Sequence, residues 1–193
     1  MNKLALSTAA ALIFVTSSAV AVENVSGGTL HFTGAVTDAT CTINGGVSAN
    51  LSIILEPISI SQAGQKEGLI DAGKKAFSLE FSNCHTKATG FDPTTSMLKI
   101  QFSSANSISN DGKYLINEEL KADGQPKNVG IAIVKHQEES TPIMLNKTFD
   151  TGIKGSSKER EIVDFYAKYY KVGTAEADPG KVVTRVTYHV TYL

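Results

Sequence analysis

The side chains able to do acid–base, nucleophilic or metal chemistry are few in this chain, and they do not cluster. Its four histidines, His31, His85, His136 and His189, are scattered. They form no H-x-x-x-H or Cys/His pair of the kind that holds zinc. Serines are plentiful, yet there is no G-x-S-x-G elbow, phosphate loop or dinucleotide glycine pattern. Ser107 to Glu118 has glycine at its sixth place and glutamate at its twelfth, as a calcium loop does. Ser107 and Ser109 stand where that loop needs acids, and a hairpin turn at Asn110-Asp111-Gly112 accounts for the spacing. The run Lys154, Lys158, Glu159, Arg160, Glu161 is mixed in sign and reads as a solvated loop. These observations point away from an enzyme, with no catalytic residue, metal ligand or cofactor expected.

The remaining chemistry belongs to two cysteines, Cys41 and Cys84. Lys3 precedes an apolar run from Leu4 to Val15, and Ala19-Val20-Ala21 forms an A-x-A cleavage site, so residues 1–21 read as a signal peptide. No other stretch reaches the roughly twenty apolar residues of a spanning helix, so the mature chain is expected to be exported and soluble. Export carries it through a compartment where thiols oxidise, and a Cys41–Cys84 disulfide is the natural pairing. Closing a loop of about forty residues stabilises a fold by roughly 3–5 kcal/mol in the chain-entropy account. The formal net charge is −1, and loss of Lys3 makes it more negative. That balance gives no reason to expect nucleic acid or an anionic membrane as partner. A mature chain of about 170 residues suits one domain with a proper core.

Apolar residues recur at spacing two, the period of strands with one buried face. Leu30-Phe32-Gly34-Val36, Leu51-Ile53-Leu55, Phe77-Leu79-Phe81, Leu98-Ile100-Phe102, Val163-Phe165-Ala167-Tyr169 and Val186-Tyr188-Val190-Tyr192 all alternate. Val129 to Val134 is nearly unbroken and predicts a central strand covered on both faces. Turns are expected at Asn44-Gly45-Gly46, Asp71-Ala72-Gly73, Asn110-Asp111-Gly112, Asp123-Gly124 and Asp178-Pro179-Gly180. Helices should be few and short. Residues 85–128 are the least patterned part, with one clear strand and otherwise surface loops and short edge strands. About seven strands broken by such turns predict an all-β, antiparallel, immunoglobulin-like sandwich.

Both ends depart from an ordinary sandwich. Gly27-Gly28-Thr29-Leu30-His31-Phe32-Thr33-Gly34-Ala35-Val36, followed shortly by Cys41, resembles the opening of major fimbrial subunits of the chaperone–usher pathway of Gram-negative bacteria. Phe77-Ser78-Leu79-Glu80-Phe81-Ser82-Asn83-Cys84 is similar to their second-cysteine strand, and Asn128-Val129-Gly130-Ile131-Ala132-Ile133 to a central strand. Gly180, fourteenth from the end, and the penultimate Tyr192 resemble marks of the C-terminal strand that their chaperones recognise. The similarity covers nearly the whole mature chain, with the motifs in order.

The resemblance implies a sandwich lacking its final strand, with an apolar groove beside the C-terminal strand. A periplasmic chaperone would fill the groove first. At the outer-membrane usher, the N-terminal arm of the next subunit would displace it, building a homopolymer with adjacent subunits on the cell surface. Residues 22–36 would be the donor arm, and 37–193 the pilin domain. Leu30, Phe32, Gly34 and Val36 would point into a neighbour's groove, with Gly34 where a side chain would clash. Val186, Tyr188, Val190 and Tyr192 would line the groove, and the Leu193 carboxylate would meet basic residues of the chaperone. Burying three large apolar side chains is worth up to roughly 4–9 kcal/mol, comparable with the roughly 5–15 kcal/mol that holds a domain together. The implied role is a structural fimbrial subunit serving adhesion, in an extracellular fimbrium. The alternatives are a minor or tip adaptor or sugar-binding adhesin of the same pilus, or a self-contained secreted binding protein. Two-domain adhesins place a lectin domain before the pilin domain and lack the arm, whereas this chain has the arm and no room for a lectin.

Overall fold

The period-two runs become two antiparallel sheets. The computed structural model describes residues 39–46, 49–86, 92 and 94–192. Residues 1–21, expected to be a signal peptide, residues 22–36, expected to be a donor arm, and Leu193 lie outside the described residues. One sheet holds β1 (Ala39–Ile43), β2 (Gly68–Thr86), β6 (Glu161–Lys171) and β4 (Val129–Lys135) in the order β1-β2-β6-β4. The other holds β5 (Thr148–Lys154), β3 (Met97–Ser103) and β7 (Thr187–Tyr192) in the order β5-β3-β7. Among the described residues, helix is confined to a 3-10 turn at Asn44–Gly46 and α1 (Ile60–Ala63), whose start is a capping box between Ser59 and Gln62.

Side chains on the two inner faces meet to form the core. Leu79 and Phe81 of β2 and Phe165 of β6 come from one sheet, and Leu98, Ile100 and Phe102 of β3 from the other. Phe165 joins them: it stacks on Phe77 at 5.2 Å between centroids and meets Phe102 and Phe149 edge-on at 5.6 and 6.0 Å. Cys41 and Cys84 are disulfide-bonded and tie β1 to β2. The register slips there, with Thr40 opposite His85 but Thr42 opposite Ser82, so the bond sits at a β-bulge.

Three expectations are corrected. Asp71-Ala72-Gly73 does not end a strand; it bulges out of β2, where Ile70 faces Tyr169 and Lys75 faces Ala167. Within the bulge Gly73 is closely packed: it has φ of 71°, and a Cβ there would lie 2.6 Å from the Glu56 carbonyl oxygen. Opposite it, the Lys168 side chain is 2% exposed and donates to Asp71 Oδ1 at 2.7 Å and to the Glu139 carbonyl at 3.0 Å. Second, Val129 to Val134 is covered on both faces, but β4 ends the strand order of its sheet. Its outer edge is met by Leu115, which exchanges two backbone hydrogen bonds with Ile131 at 2.7 and 3.0 Å. Third, Leu51-Ile53-Leu55 alternates as expected, and Ile53 and Leu55 pack on the core, yet the segment belongs to no strand among the described residues.

Candidate functional site

The alternating run at the C-terminus continues upstream of β7, and its two backbone edges have different surroundings. β7 pairs with β3 from Leu98↔Tyr192 to Ser103↔Thr187. Upstream, the Val183 N–H donates to Asn117 Oδ1 at 3.0 Å, Val183 O accepts from the Glu118 N–H at 2.8 Å, and Lys181 O accepts from Asn117 Nδ2 at 3.0 Å. The peptide groups of alternate residues point to opposite edges of an extended chain. Those of Val182 and Thr184 are therefore directed to the other edge. Side chains alternate as well: Val182, Val186, Tyr188 and Val190 are half-buried and packed on the core, while Val183 is 44% exposed. Within that inward row, the Thr184 hydroxyl is buried without a hydrogen-bond partner among the described residues.

The segment 49–58 lies in no strand and is held by side chains from both sheets. Tyr188 of β7 donates its hydroxyl to Ala49 O at 2.6 Å, and Tyr169 of β6 donates to Glu56 O at 3.1 Å. Burial pushes both phenols above their ordinary pKa, so they stay protonated donors across the physiological range. Ile53, Leu55 and Ile58 turn to the core, while Ile54 is 81% exposed. Where this segment approaches residues 177–182 lies a cleft of about 380 Å³, lined by Pro57, Ile58, Ile60, Ala63, Val129, Tyr169, Ala177, Pro179, Gly180 and Val182. Asp178 fixes its rim: its carboxylate takes Lys121 Nζ and the Asn128 N–H, both at 2.9 Å, and those contacts hold its pKa below the ordinary value.

Of the residues expected to matter, Val186, Tyr188 and Val190 lie together on the inward row, and Tyr192 ends β7 opposite Leu98. Gly180 has φ of 121°, a backbone conformation that strains residues with a side chain, so glycine suits the approach to this strand. Leu30, Phe32, Gly34, Val36 and Leu193 lie outside the described residues. Sequence reasoning missed Asn117 and Tyr169, and it did not see that the strand-like segment at 51–55 lacks a ladder. The signal available was Tyr169's place at the inward end of an alternating run; nothing marked Asn117. The arrangement offers an edge and apolar side chains, with no constellation for bond-making chemistry among the described residues. It can hold an extended chain.

A family model described as fimbrial protein matches residues 30–193. The chain belongs to the fimbrial protein family. It is 29% identical to the S-fimbrial protein subunit SfaA of Escherichia coli, over 92% of this chain and 90% of that one. Identity to the fimbrial subunit type 1 of Klebsiella pneumoniae is 26%, over 100% and 94% of the two chains. Its fold is similar to that of the P pilus rod subunit PapA, with a TM-score of 0.56 at 16% identity over 79% of this chain and 99% of that one. A chaperone–usher pilus structure gives a TM-score of 0.59 at 18% identity, over 87% and 96%. These structures support the fold, an immunoglobulin-like β-sandwich. As a fimbrial protein the chain is a structural subunit of an extracellular fimbrium. No helix among the described residues is long and apolar enough to cross a membrane.

Proposed function

We propose that this fimbrial protein polymerises by donor-strand exchange. The arm at 22–36 of one subunit adds as a strand between β7 and the segment 49–58 of the next. The observation that carries the proposal is the segment itself. It has a strand's alternation, with Ile53 and Leu55 on the core, but tyrosine hydroxyls hold it where a ladder would be expected among the described residues. A strand added along the outward edge of β7 would supply that ladder and cover the half-buried row Val182, Val186, Tyr188 and Val190.

Leu30, Phe32 and Val36 of the arm supply the apolar side chains for this row, and Gly34 passes the shallowest place. Until the arm arrives, a periplasmic chaperone occupies the groove, with the Leu193 carboxylate as its anchor, and exchange takes place at an outer-membrane usher. The subunit has no catalysis of its own, and the fibre serves adhesion. The test moves residues 22–36 from the N-terminus to follow Leu193 through a short flexible linker. A monomer that no longer polymerises and unfolds at a much higher temperature is expected. In the native arrangement, Gly34→Leu should stop polymerisation while chaperone binding persists. Normal fibres from the Gly34→Leu chain would overturn the proposal.

A further inference from the structure

Residues 115–118 join the two sheets. Leu115 pairs with Ile131 at the edge of β4, and two residues later Asn117 and Glu118 pair with 181–183, just upstream of β7. Asn117 is 1% exposed. Its amide oxygen accepts from the Val183 N–H and the Glu119 N–H, both at 3.0 Å, and its amide nitrogen donates to Lys181 O at 3.0 Å. A primary amide presents donor and acceptor side by side, so this one side chain reproduces the pairing that a neighbouring strand would give to 181–183. The Glu118 N–H to Val183 O bond completes the match.

We propose that Asn117 is a positioning residue for strand acceptance: it holds 181–183 extended from one edge, so that the edge of Val182 and Thr184 is already in strand geometry when the incoming arm meets it. This rests on the reading of that edge as the acceptor of a second copy's arm. The physical need is entropic. A stretch that must be ordered during binding weakens and slows capture, and ordering it beforehand removes that cost. β3 gives this service to residues 187–192 but ends at Ser103, opposite Thr187. Upstream, Asn117 takes over beside the cleft that Val182 lines.

The experiment uses the mature full chain as wild type, Asn117→Ala, Asn117→Asp and Gly34→Leu. Polymer growth is followed by light scattering, and amide hydrogen exchange is read residue by residue. Asn117→Ala should slow growth about tenfold, the change expected when a buried donor and acceptor lose their partner. Exchange at Val183 should quicken while β2, β6 and the β3–β7 ladder stay protected. Asn117→Asp keeps the acceptor for Val183 and loses the donor to Lys181, so it should fall between the two and also serves if the alanine variant does not fold. Wild-type growth in Asn117→Ala beside a blocked Gly34→Leu overturns this proposal alone. Loss of protection spread evenly over β2 and β6, with growth falling in step, also overturns it, since Asn117 would then be only a part of the core. Wild-type growth in Gly34→Leu overturns the strand-acceptor reading beneath it.

Discussion

The pairing of β2 with β6 and the flank formed by β7 with residues 49–58 belong to the same sandwich but are stabilised differently. The β2–β6 ladder runs from Gly68↔Lys171 to Phe81↔Glu161 and carries Phe81 and Phe165 at 0% exposure. On the other flank the inward row is half-buried, and two tyrosine hydroxyls hold a strand-like segment. Both regions use the same residue types at the same period, so composition does not separate them. Under the donor-strand proposal, what separates them is whether the chain itself supplies the neighbouring strand. The first region is finished by its own sequence, and the second has the form of a surface to be finished by another.

The strongest way to break this contrast is to remove one inward side chain from each region. Phe165→Ala should cost about 3–5 kcal/mol in urea unfolding, because three rings lose their common contact. Val190→Ala should cost only about 1 kcal/mol in the isolated subunit, in line with its partial burial. Equal costs would show the two flanks to be equally complete. Cys84→Ala should come next, at roughly 2–5 kcal/mol, the usual loss for a native disulfide in a small exported domain. The same shift should follow chemical reduction of the parent protein.

Acid sharpens the comparison from another side. The Lys168 ammonium holds the Asp71 carboxyl below its ordinary pKa, Lys74 does the same for Glu139 with help from Lys168, and Lys121 for Asp178. A depressed carboxylate stabilises the fold above its ordinary value near 4, and the contribution is lost as pH falls through the lower folded-state value. Urea midpoints should therefore drop below about pH 4. Lys168→Met should shrink that drop, because a buried cation is no longer left without its counter-charges. An unchanged acid profile in Lys168→Met would place the sensitivity elsewhere, with Asp178 the next candidate.

Smaller effects are expected on the open flank. Tyr188→Phe removes the hydrogen bond to Ala49 O and should cost about 1 kcal/mol, with faster exchange confined to residues 49–58. Arg185→Ala breaks its pair with Glu118 at 3.0 Å, but the Arg185 side chain is 75% exposed. That loss should stay under about 0.5 kcal/mol and fade in salt. A larger value would make the ion pair, together with Asn117, part of what holds 181–185.

Much of the architecture was legible because period two reports which residues face inward. Phe77-Leu79-Phe81, Leu98-Ile100-Phe102 and Val163-Phe165-Ala167-Tyr169 all fall inside strands with those residues toward the core. Periodicity says nothing about neighbours, and the misreadings come from there. Leu51-Ile53-Leu55 is patterned like a paired strand and is not in one. Val129 to Val134 reads as central because both its faces are covered, whereas its sheet order ends with it. Asp71-Ala72-Gly73 has turn chemistry and serves a bulge, where Gly73 packs against the Glu56 carbonyl and Asp71 pairs with the buried Lys168. Residues 85–128, apart from the one clear strand at Leu98-Ile100-Phe102, lack a pattern that separates surface from core, yet they place Leu115 and Asn117 at 3% and 1% exposure. Single residues buried from an irregular loop leave no repeating trace.

The sequence by itself determined the fold class, the disulfide and the inward faces of the main strands, because these depend on residue type and on spacing along the chain. Tertiary structure decided which edges found partners and which side chains stood in for a strand. Asn117 holding 181–183, and Tyr188 and Tyr169 holding 49–58, are contacts between residues far apart in sequence. Backbone pairing is a property of two segments brought side by side, and no single segment records whether its neighbour will be there.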